Sequence, residues 1–346
     1  MINKQYCSFS QSKGLLYSDW FDRILKKDFK PPIGVGVDLT DACNIHCVWC
    51  NAESYRSSNT LKTADVFAIV DSLAAWGVKS VCYAGGGEPS CHKDFGKILQ
   101  YSAESGLEVG MSTNGVALKP EDIATIAKYC RFCGVSFDAG LKETWERIKG
   151  SNLYDRLIEN CKSLATAALD TDLDLTFKMI IAEGNQYEIL TACKLAKSLK
   201  FKNFFARPVA FENIPHQSKE ITFDIAAITE QMSLIQKEET DDFKVFGNFG
   251  RVDKNLHKLH NYPKCRATPL FAMFCADGNC YLCIDYRERD YGLMCKHSEI
   301  REFWNTPAHH NLIEKIDLNN CPRCTFGNYN EQIDHYVKDT FFRWFP

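Results

Sequence analysis

Short apolar runs rich in strand-forming residues alternate with segments of helical periodicity between residues 33 and 210. Because a helical segment separates each run from the next, the pattern predicts parallel strands joined by right-handed crossovers. Six such units are two fewer than a closed eight-stranded barrel needs, so we predict an α/β fold with a partial, TIM-like (β/α)6 barrel. The predicted strands span residues 33–39, 80–84, 107–112, 132–137, 173–181 and 204–210, and the predicted helices span 63–76, 95–105, 120–129, 154–167 and 186–199.

The alternation stops after residue 210, which divides the chain into unequal parts. We predict an N-terminal helix and connector over residues 1–32, the barrel over 33–210, and a polar, helix-prone bridging segment over 211–255. Seven of the 17 cysteines lie between residues 265 and 324. We therefore predict that residues 256–346 form a second, smaller domain built around cysteines.

Composition narrows the classes of partner. A net charge of −3 provides no basic field for nucleic acid, and no apolar run reaches the length of a membrane span. The first residues lack the features of a secretory signal, so we expect a cytoplasmic protein with no nucleic-acid or membrane partner. Closely spaced cysteines in a long chain without such a signal favour metal ligation over disulfides.

The densest group of cysteines follows the first predicted strand. Cys43-Asn-Ile-His-Cys47-Val-Trp-Cys50 places three thiols within eight residues. Thiolates bind iron–sulfur clusters or zinc in preference to hard cations. Three protein ligands would leave one iron of a four-iron cluster open for chemistry, whereas a structural zinc site is normally closed by four ligands.

Further candidate residues lie where the next strands end, at the edge where barrel enzymes carry their sites. The second strand ends in Tyr83-Ala-Gly-Gly-Gly-Glu88-Pro89, and polar or charged residues follow or occupy the later strands. Asn114 and Asp138 are as compatible with a structural role, as a turn residue and a helix cap respectively, as with contact to a ligand. The charged residues within the predicted strands, Lys178 and Arg207, have two possible positions. They either contact a ligand inside the barrel or lie exposed on a face of the sheet. These later candidates are Ser112, Asn114, Ser136, Asp138, Lys178 and Arg207.

The ordered elements over residues 33–210 resemble those of the radical S-adenosylmethionine (SAM) superfamily. The resemblance implies that Cys43, Cys47 and Cys50 hold a [4Fe–4S] cluster whose open iron binds SAM. It also implies that Gly86, Gly87 and Glu88 bind the SAM amino group. Electron transfer to SAM would then generate a 5′-deoxyadenosyl radical, which abstracts a hydrogen atom from the substrate. The other residues that the resemblance places around SAM are Ser112, Asn114, Ser136, Asp138 and Arg207.

The C-terminal cysteines resemble the single-cluster twitch version of the SPASM extension. The pattern is Cys265-x12-Gly278-x4-Cys283 followed by Cys321-Pro-Arg-Cys324. It implies that these four thiols hold an auxiliary [4Fe–4S] cluster beside the mouth of the barrel. Cys280 competes with Cys283 for the second position, and the offset from Gly278 favours Cys283. Besides Cys280, the spare thiols Cys275 and Cys295 are core residues or donors of a hydrogen atom.

The substrate follows less directly from the sequence. Only 32 residues precede the first predicted strand, which is short for a leader-peptide domain, so we favour a small polar substrate. A sugar, aminocyclitol or nucleotide sugar would undergo dehydrogenation or epimerisation, with Lys178 as the candidate base and Arg207 as a carboxylate ligand. The alternatives are modification of a ribosomally made peptide or protein, and a non-catalytic iron–sulfur carrier or sensor. A flavodoxin or ferredoxin is the expected electron donor.

Overall fold

The computed structural model describes residues 11–52, 56–209, 222–247, 259–287, 292–321 and 324–338. All six predicted strands are present, each within two or three residues of its predicted ends. They pair in chain order, each parallel to the next, which confirms the predicted α/β architecture. The strands are β1 (Gly34–Val37), β2 (Ser80–Tyr83), β3 (Glu108–Thr113), β4 (Cys130–Ser136), β5 (Asp174–Ile181) and β6 (Asn203–Pro208).

Amphipathic helices cover the outer face of this sheet. Each buries one apolar face, as Ile123 and Ile126 do in the fourth helix, where Pro120 fits the first turn because its missing N–H has no partner there. The second helix ends at Gly77, whose φ of 92° suits a left-handed C-cap. The helices are α1 (Ser18–Leu25), α2 (Thr63–Trp76), α3 (Phe95–Glu104), α4 (Pro120–Tyr129), α5 (Lys142–Lys149), α6 (Tyr154–Ala167) and α7 (Ile189–Ser198).

The sheet extends beyond the six predicted strands into the segment predicted as a bridge. Helix α8 (Ile225–Gln236) leads to strand β7 (Lys244–Gly247), which pairs parallel with β6. Only Val245 and Phe246 of this strand are buried, and so short an apolar run gives no period to detect. Residues 211–221 and 248–255 of the predicted bridge lie outside the described residues.

The C-terminal part continues the same sheet at its other edge. Strand β8 (Phe271–Phe274) pairs parallel with β1, and β9 (Asn279–Tyr281) and β10 (Leu293–Lys296) follow as antiparallel neighbours. The strand order is therefore β10-β9-β8-β1-β2-β3-β4-β5-β6-β7. The predicted domain boundaries stay a prediction. Three further helices are α9 (Ile300–Phe303), α10 (Pro307–Glu314) and α11 (Gly327–Lys338).

Small residues on the inner face of the sheet leave room for long side chains from neighbouring strands. A Cβ atom on Gly134 of β4 would lie 2.5 Å from Cδ of Lys178, so the lysine stem crosses the sheet over this glycine. Aromatic side chains pack on the outer face, where Phe137, Phe177 and Phe204 are fully buried. No helix in the described part of the chain is long and apolar enough to cross a membrane.

Candidate functional site

The loop of Cys43, Cys47 and Cys50 begins after β1 and is fastened to the end of α5. The amide of His46 donates to the carbonyl of Lys149 at 3.0 Å, and the amide of Val48 donates to the carbonyl of Ile148 at 2.9 Å. These bonds hold the backbone on both sides of Cys47. The three thiols are partly exposed, as expected for side chains that face a ligand.

Each of the three thiols faces a donor or a cation from another element. Asn114 Nδ2 lies 3.8 Å from Sγ of Cys43, and Arg56 Nη2 lies 3.4 Å from Sγ of Cys50. Burial raises the pKa of Cys47 to about 11, and the charge of Lys149 opposes that rise. These donors and cations offset part of the cost of burying a thiolate charge.

The glycine-rich turn after β2 packs directly on the segment that leads into Cys43. The amide of Gly87 donates to the carbonyl of Thr40 at 2.9 Å, and that of Glu88 donates to Ala42 at 2.8 Å. A Cβ atom on Gly87 would lie 2.0 Å from the Ala42 oxygen, and one on Gly86 would lie 2.4 Å from Asp41 Oδ1. The turn therefore requires glycine because two backbone segments approach closely.

Glu88 is buried, and its carboxylate accepts hydrogen bonds from several protein groups. Oε1 accepts hydrogen bonds from the amide and hydroxyl of Ser90 and from the hydroxyl of Thr113, while Oε2 accepts one from the Asn114 amide at 2.7 Å. Burial raises its pKa, and these donors oppose the rise. Glu88 thus ties the turn after β2 to the end of β3. Its contact with the SAM amino group stays a prediction.

Asn114 contacts the cysteine loop directly, and Asp138 contacts the lysine to which the loop is fastened. The Asn114 amide bridges Cys43 and Asn44, with a 2.8 Å bond to the Asn44 side chain. Asp138 is buried at a φ of 66° and forms an ion pair of 2.5 Å with Lys149. Neither side chain is an isolated turn or cap residue. Nothing in the sequence pointed to Lys149, since a lysine near the end of a helix is usually exposed.

Polar and cationic side chains share the inner face near the ends of β3 to β6. Lys178 Nζ donates to Ser112 Oγ at 3.0 Å, and Ser136 is the register partner of Lys178. Burial and the nearby charge of Arg207 lower the pKa of Lys178. The predicted site residues of these four strands are therefore neighbours, in an environment that favours the neutral lysine needed for a base.

A buried ion pair at the mouth of the barrel escaped prediction. Asp38, directly after β1, lies 3.3 Å from Nη1 of Arg287, and both side chains are almost fully buried. Cys275, which follows β8, also contacts the carboxylate. The interaction joins residues 249 positions apart, so no local pattern could reveal it. One spare cysteine thus lies at the mouth of the barrel.

We expect Asp38 to bind a proton as the pH falls through about 6. Burial raises its pKa to about 6, although Arg287 opposes the rise. This pKa exceeds that of Asp38 in the unfolded chain, so protonation of Asp38 stabilises the folded state. The stabilisation is complete at pH values below the pKa of Asp38 in the unfolded chain and is lost as the pH rises through 6. Difference infrared spectra between pH 7.5 and pH 5 should contain a carboxylic-acid band that Asp38→Asn removes and Asp172→Asn, on the surface, retains. A band unchanged in Asp38→Asn would contradict this prediction.

The four predicted auxiliary cysteines are gathered in one place. Cys283 and Cys321 pack in one buried cluster, and the thiols of Cys265 and Cys324 interact electrostatically with Cys283. Asn330 on α11 directs its amide at Sγ of Cys265 and Cys324, at 3.9 and 3.7 Å. Among the described residues, no group of three or more Cys, His, Asp or Glu side chains has the geometry to hold a metal ion.

The β8–β9 hairpin separates two groups of cysteines. Cys265 precedes the hairpin and Cys283 follows it, so both lie at its open end, level with the start of β1. Cys280 lies within the hairpin opposite Cys295 of β10. The geometry thus places Cys283 rather than Cys280 with the auxiliary thiols. These thiols are at least one strand length from the end of β1, about 10 Å for three residue steps.

Comparison with known proteins identifies the chemistry of the first site. The model of the radical SAM superfamily matches residues 37–184, which include the cysteine loop and the glycine-rich turn. This segment is a radical SAM domain. Radical SAM domains use a [4Fe–4S] cluster and SAM, which confirms these two predicted cofactors.

Curated relatives of this radical SAM protein differ in activity. The chain is 30% identical over 175 residues to a probable GTP 3′,8-cyclase of Saccharolobus solfataricus, covering 49% of this chain and 54% of the relative. It is 33% identical over 156 residues to the mycofactocin maturase MftC of Mycobacterium ulcerans, covering 44% of this chain and 41% of that protein. The chain thus spans about half the length of the curated relatives it matches.

One solved structure resembles nearly the whole chain. SuiB of Streptococcus suis bound to its precursor peptide SuiA superposes with a TM-score of 0.67 at 15% identity, covering 90% of this chain and 73% of SuiB. At this identity the likeness shows the fold alone. The shared fold includes the radical SAM barrel and much of the C-terminal part.

The residues at the end of β1 fit the cofactors of the superfamily. Three thiols lie beside compensating donors and cations, as described above. Asp41 Oδ1 and Trp49 Nε1 are buried nearby and have no hydrogen-bond partner among the described residues. A polar ligand with its own donors and acceptors, such as SAM, is the kind of group that satisfies such atoms.

Proposed function

We propose that this radical SAM enzyme oxidises a peptide substrate and that two clusters take part. Cys43, Cys47 and Cys50 hold the catalytic cluster, and Cys265, Cys283, Cys321 and Cys324 hold an auxiliary cluster in a twitch-like domain. The observation that carries the proposal is that the catalytic loop follows β1, while Cys265 and Cys283 flank the hairpin whose strand β8 pairs with β1.

The peptide substrate replaces our preference for a sugar. SuiB, whose fold resembles 90% of this chain, is bound to a precursor peptide. The reported relatives, a probable GTP cyclase and a maturase, lend no support to a sugar or aminocyclitol. This support is analogy at the level of fold and family, which is why it needs an experiment.

The residues of the inner face have defined roles in this oxidation. The cluster and SAM together supply a 5′-deoxyadenosyl group that removes one hydrogen atom from a substrate carbon. The second hydrogen leaves the substrate as a proton, and Lys178, whose pKa is lowered by burial, accepts it. An auxiliary cluster held by the four C-terminal thiols would accept the remaining electron, so the substrate would lose two hydrogens in all. Arg207 orients a carboxylate of SAM or of the peptide.

A substrate screen tests this proposal. Reconstituted enzyme with SAM and dithionite is offered a pool of peptides or a pool of sugars and nucleotide sugars. We expect peptides to stimulate 5′-deoxyadenosine formation and to lose the mass of two hydrogen atoms. Stimulation by the sugar pool alone would overturn the peptide assignment.

The variant Cys321→Ala/Cys324→Ala serves as the control for the auxiliary site. It removes two of the four auxiliary thiols and leaves the loop after β1 intact. We expect this variant to cleave SAM when peptide is added but to release no oxidised peptide, because the electron has no acceptor. Full oxidation by this variant would contradict a role for the auxiliary cluster.

A further inference from the structure

A fully buried ion pair lies directly behind the cysteine loop. Nζ of Lys149 and Oδ2 of Asp138 are 2.5 Å apart, and the two side chains are 2% and 3% exposed. Burying two charges removes them from water at a cost that hydrophobic packing would avoid. A pair of this kind needs a reason beyond the stability of the fold.

Lys149 belongs to the turn of α5 that holds the cysteine loop. Its carbonyl accepts the amide of His46, and the preceding carbonyl, of Ile148, accepts the amide of Val48. Cys47 lies between these two anchored residues. The ammonium group of Lys149 interacts electrostatically with the thiols of both Cys47 and Cys43. One residue thus fixes the loop through its backbone and faces the thiols with a positive charge.

Asp138 holds that charge in place. Its Oδ1 accepts the amide of Ile180 at 2.7 Å, and its carbonyl accepts Nδ2 of Asn185 at 2.6 Å. Its backbone has a φ of 66°, in the left-handed region that Asp tolerates better than most residues other than glycine. The carboxylate is therefore a fixed anchor on the end of β4, and the ammonium cannot swing away from the loop.

We propose that Lys149 and Asp138 set the reduction potential of the catalytic cluster. Reduction adds an electron to a centre whose thiolate ligands are already negative. A fixed cation beside those ligands stabilises the reduced form, and the carboxylate partly cancels the effect. Lys149 is thus a positioning and charge-tuning residue that does not touch the substrate. The proposal rests on the assignment of Cys43, Cys47 and Cys50 as ligands in the proposed function.

Opposite shifts of the potential test this inference. The potential is measured on the reconstituted protein by a redox titration followed by electron paramagnetic resonance, using the signal that SAM perturbs to identify the catalytic cluster. We expect Lys149→Met to shift the potential to more negative values, because the cation is gone. We expect Asp138→Asn to shift it to more positive values, because the counter-charge is gone.

Two further variants separate charge from structure. Lys142→Met removes an exposed cation from the same helix and should leave the potential unchanged. Lys149→Arg keeps the charge and should keep the potential near that of the wild type, even if Lys149→Met binds less iron. Equal potentials in the wild type, Lys149→Met and Asp138→Asn would overturn the inference. If the wild type itself gave no paramagnetic resonance signal that SAM perturbs, the proposed function would be overturned, and the inference with it.

Discussion

Replacing Cys43, Cys47 and Cys50 together with alanine should abolish SAM cleavage and lower the iron content from about eight to about four per chain. The three thiols share one loop after β1, and the donors that face them, Asn114 and Arg56, remain in the variant. In the part of the chain that the structure describes, no other thiols are placed to replace all three ligands, so the catalytic cluster should be lost completely. Iron, acid-labile sulfide and 5′-deoxyadenosine are measured after anaerobic reconstitution.

Cys91 offers a matched control beside the same loop. Its thiol is exposed and lies 3.9 Å from Oδ1 of Asn44, yet it is not a predicted ligand. Cys91→Ala should keep about eight irons and wild-type SAM cleavage. Zinc in place of iron in the wild type, or SAM cleavage by the triple variant, would contradict the assignment of the three ligands.

The sequence was sufficient to predict features that depend on short-range patterns. Six strands have apolar runs long enough to recognise, and their order follows from alternation with helices. Candidate residues at the carboxyl ends of these strands are neighbours because parallel strands bring those ends to one edge. Lys178 and Ser112, which were both candidates, are hydrogen-bonded in the structure.

Features that depend on distant contacts were not predictable. Strand β7 is four residues long and follows a polar stretch, so it carries no period. Lys149 and Arg287 are buried cations whose partners are set by the fold, Asp138 at the end of β4 and Asp38 after β1. The choice of Cys283 over Cys280 differs from these cases, because the offset from Gly278 already favoured Cys283 and the hairpin register agrees with it.

Gly87→Ala should be the most damaging single substitution in the glycine-rich turn after β2. The new Cβ atom would lie 2.0 Å from the carbonyl oxygen of Ala42 and 2.6 Å from the carbonyl carbons of Ala42 and Asp41. All three are backbone atoms, so no side-chain rotation relieves the clash. The segment that leads into Cys43 must move instead, which breaks the bonds from Gly87 to Thr40 and from Glu88 to Ala42.

Movement of the segment that leads into Cys43 should lower the rate of SAM cleavage more than it lowers the stability of the fold. Overpacking costs about 1–3 kcal/mol, and each lost backbone hydrogen bond adds about 1 kcal/mol. Misplacing Cys43 and the glycine backbone by about 1 Å should lower the rate of SAM cleavage about a hundredfold. Iron content is measured in parallel, because a rate loss at full iron content locates the defect in SAM binding.

Gly96→Ala separates this effect from the general consequence of adding a methyl group. A Cβ atom on Gly96, in the first turn of α3, would meet its nearest atom, Oδ1 of Asp122, at an ordinary 3.5 Å. Alanine also favours the helix, so this variant should be as stable as the wild type or more so, with unchanged SAM cleavage. If Gly87→Ala cleaved SAM as well as Gly96→Ala does, the turn after β2 would not contact SAM. The prediction that Gly86, Gly87 and Glu88 bind the SAM amino group would then be wrong.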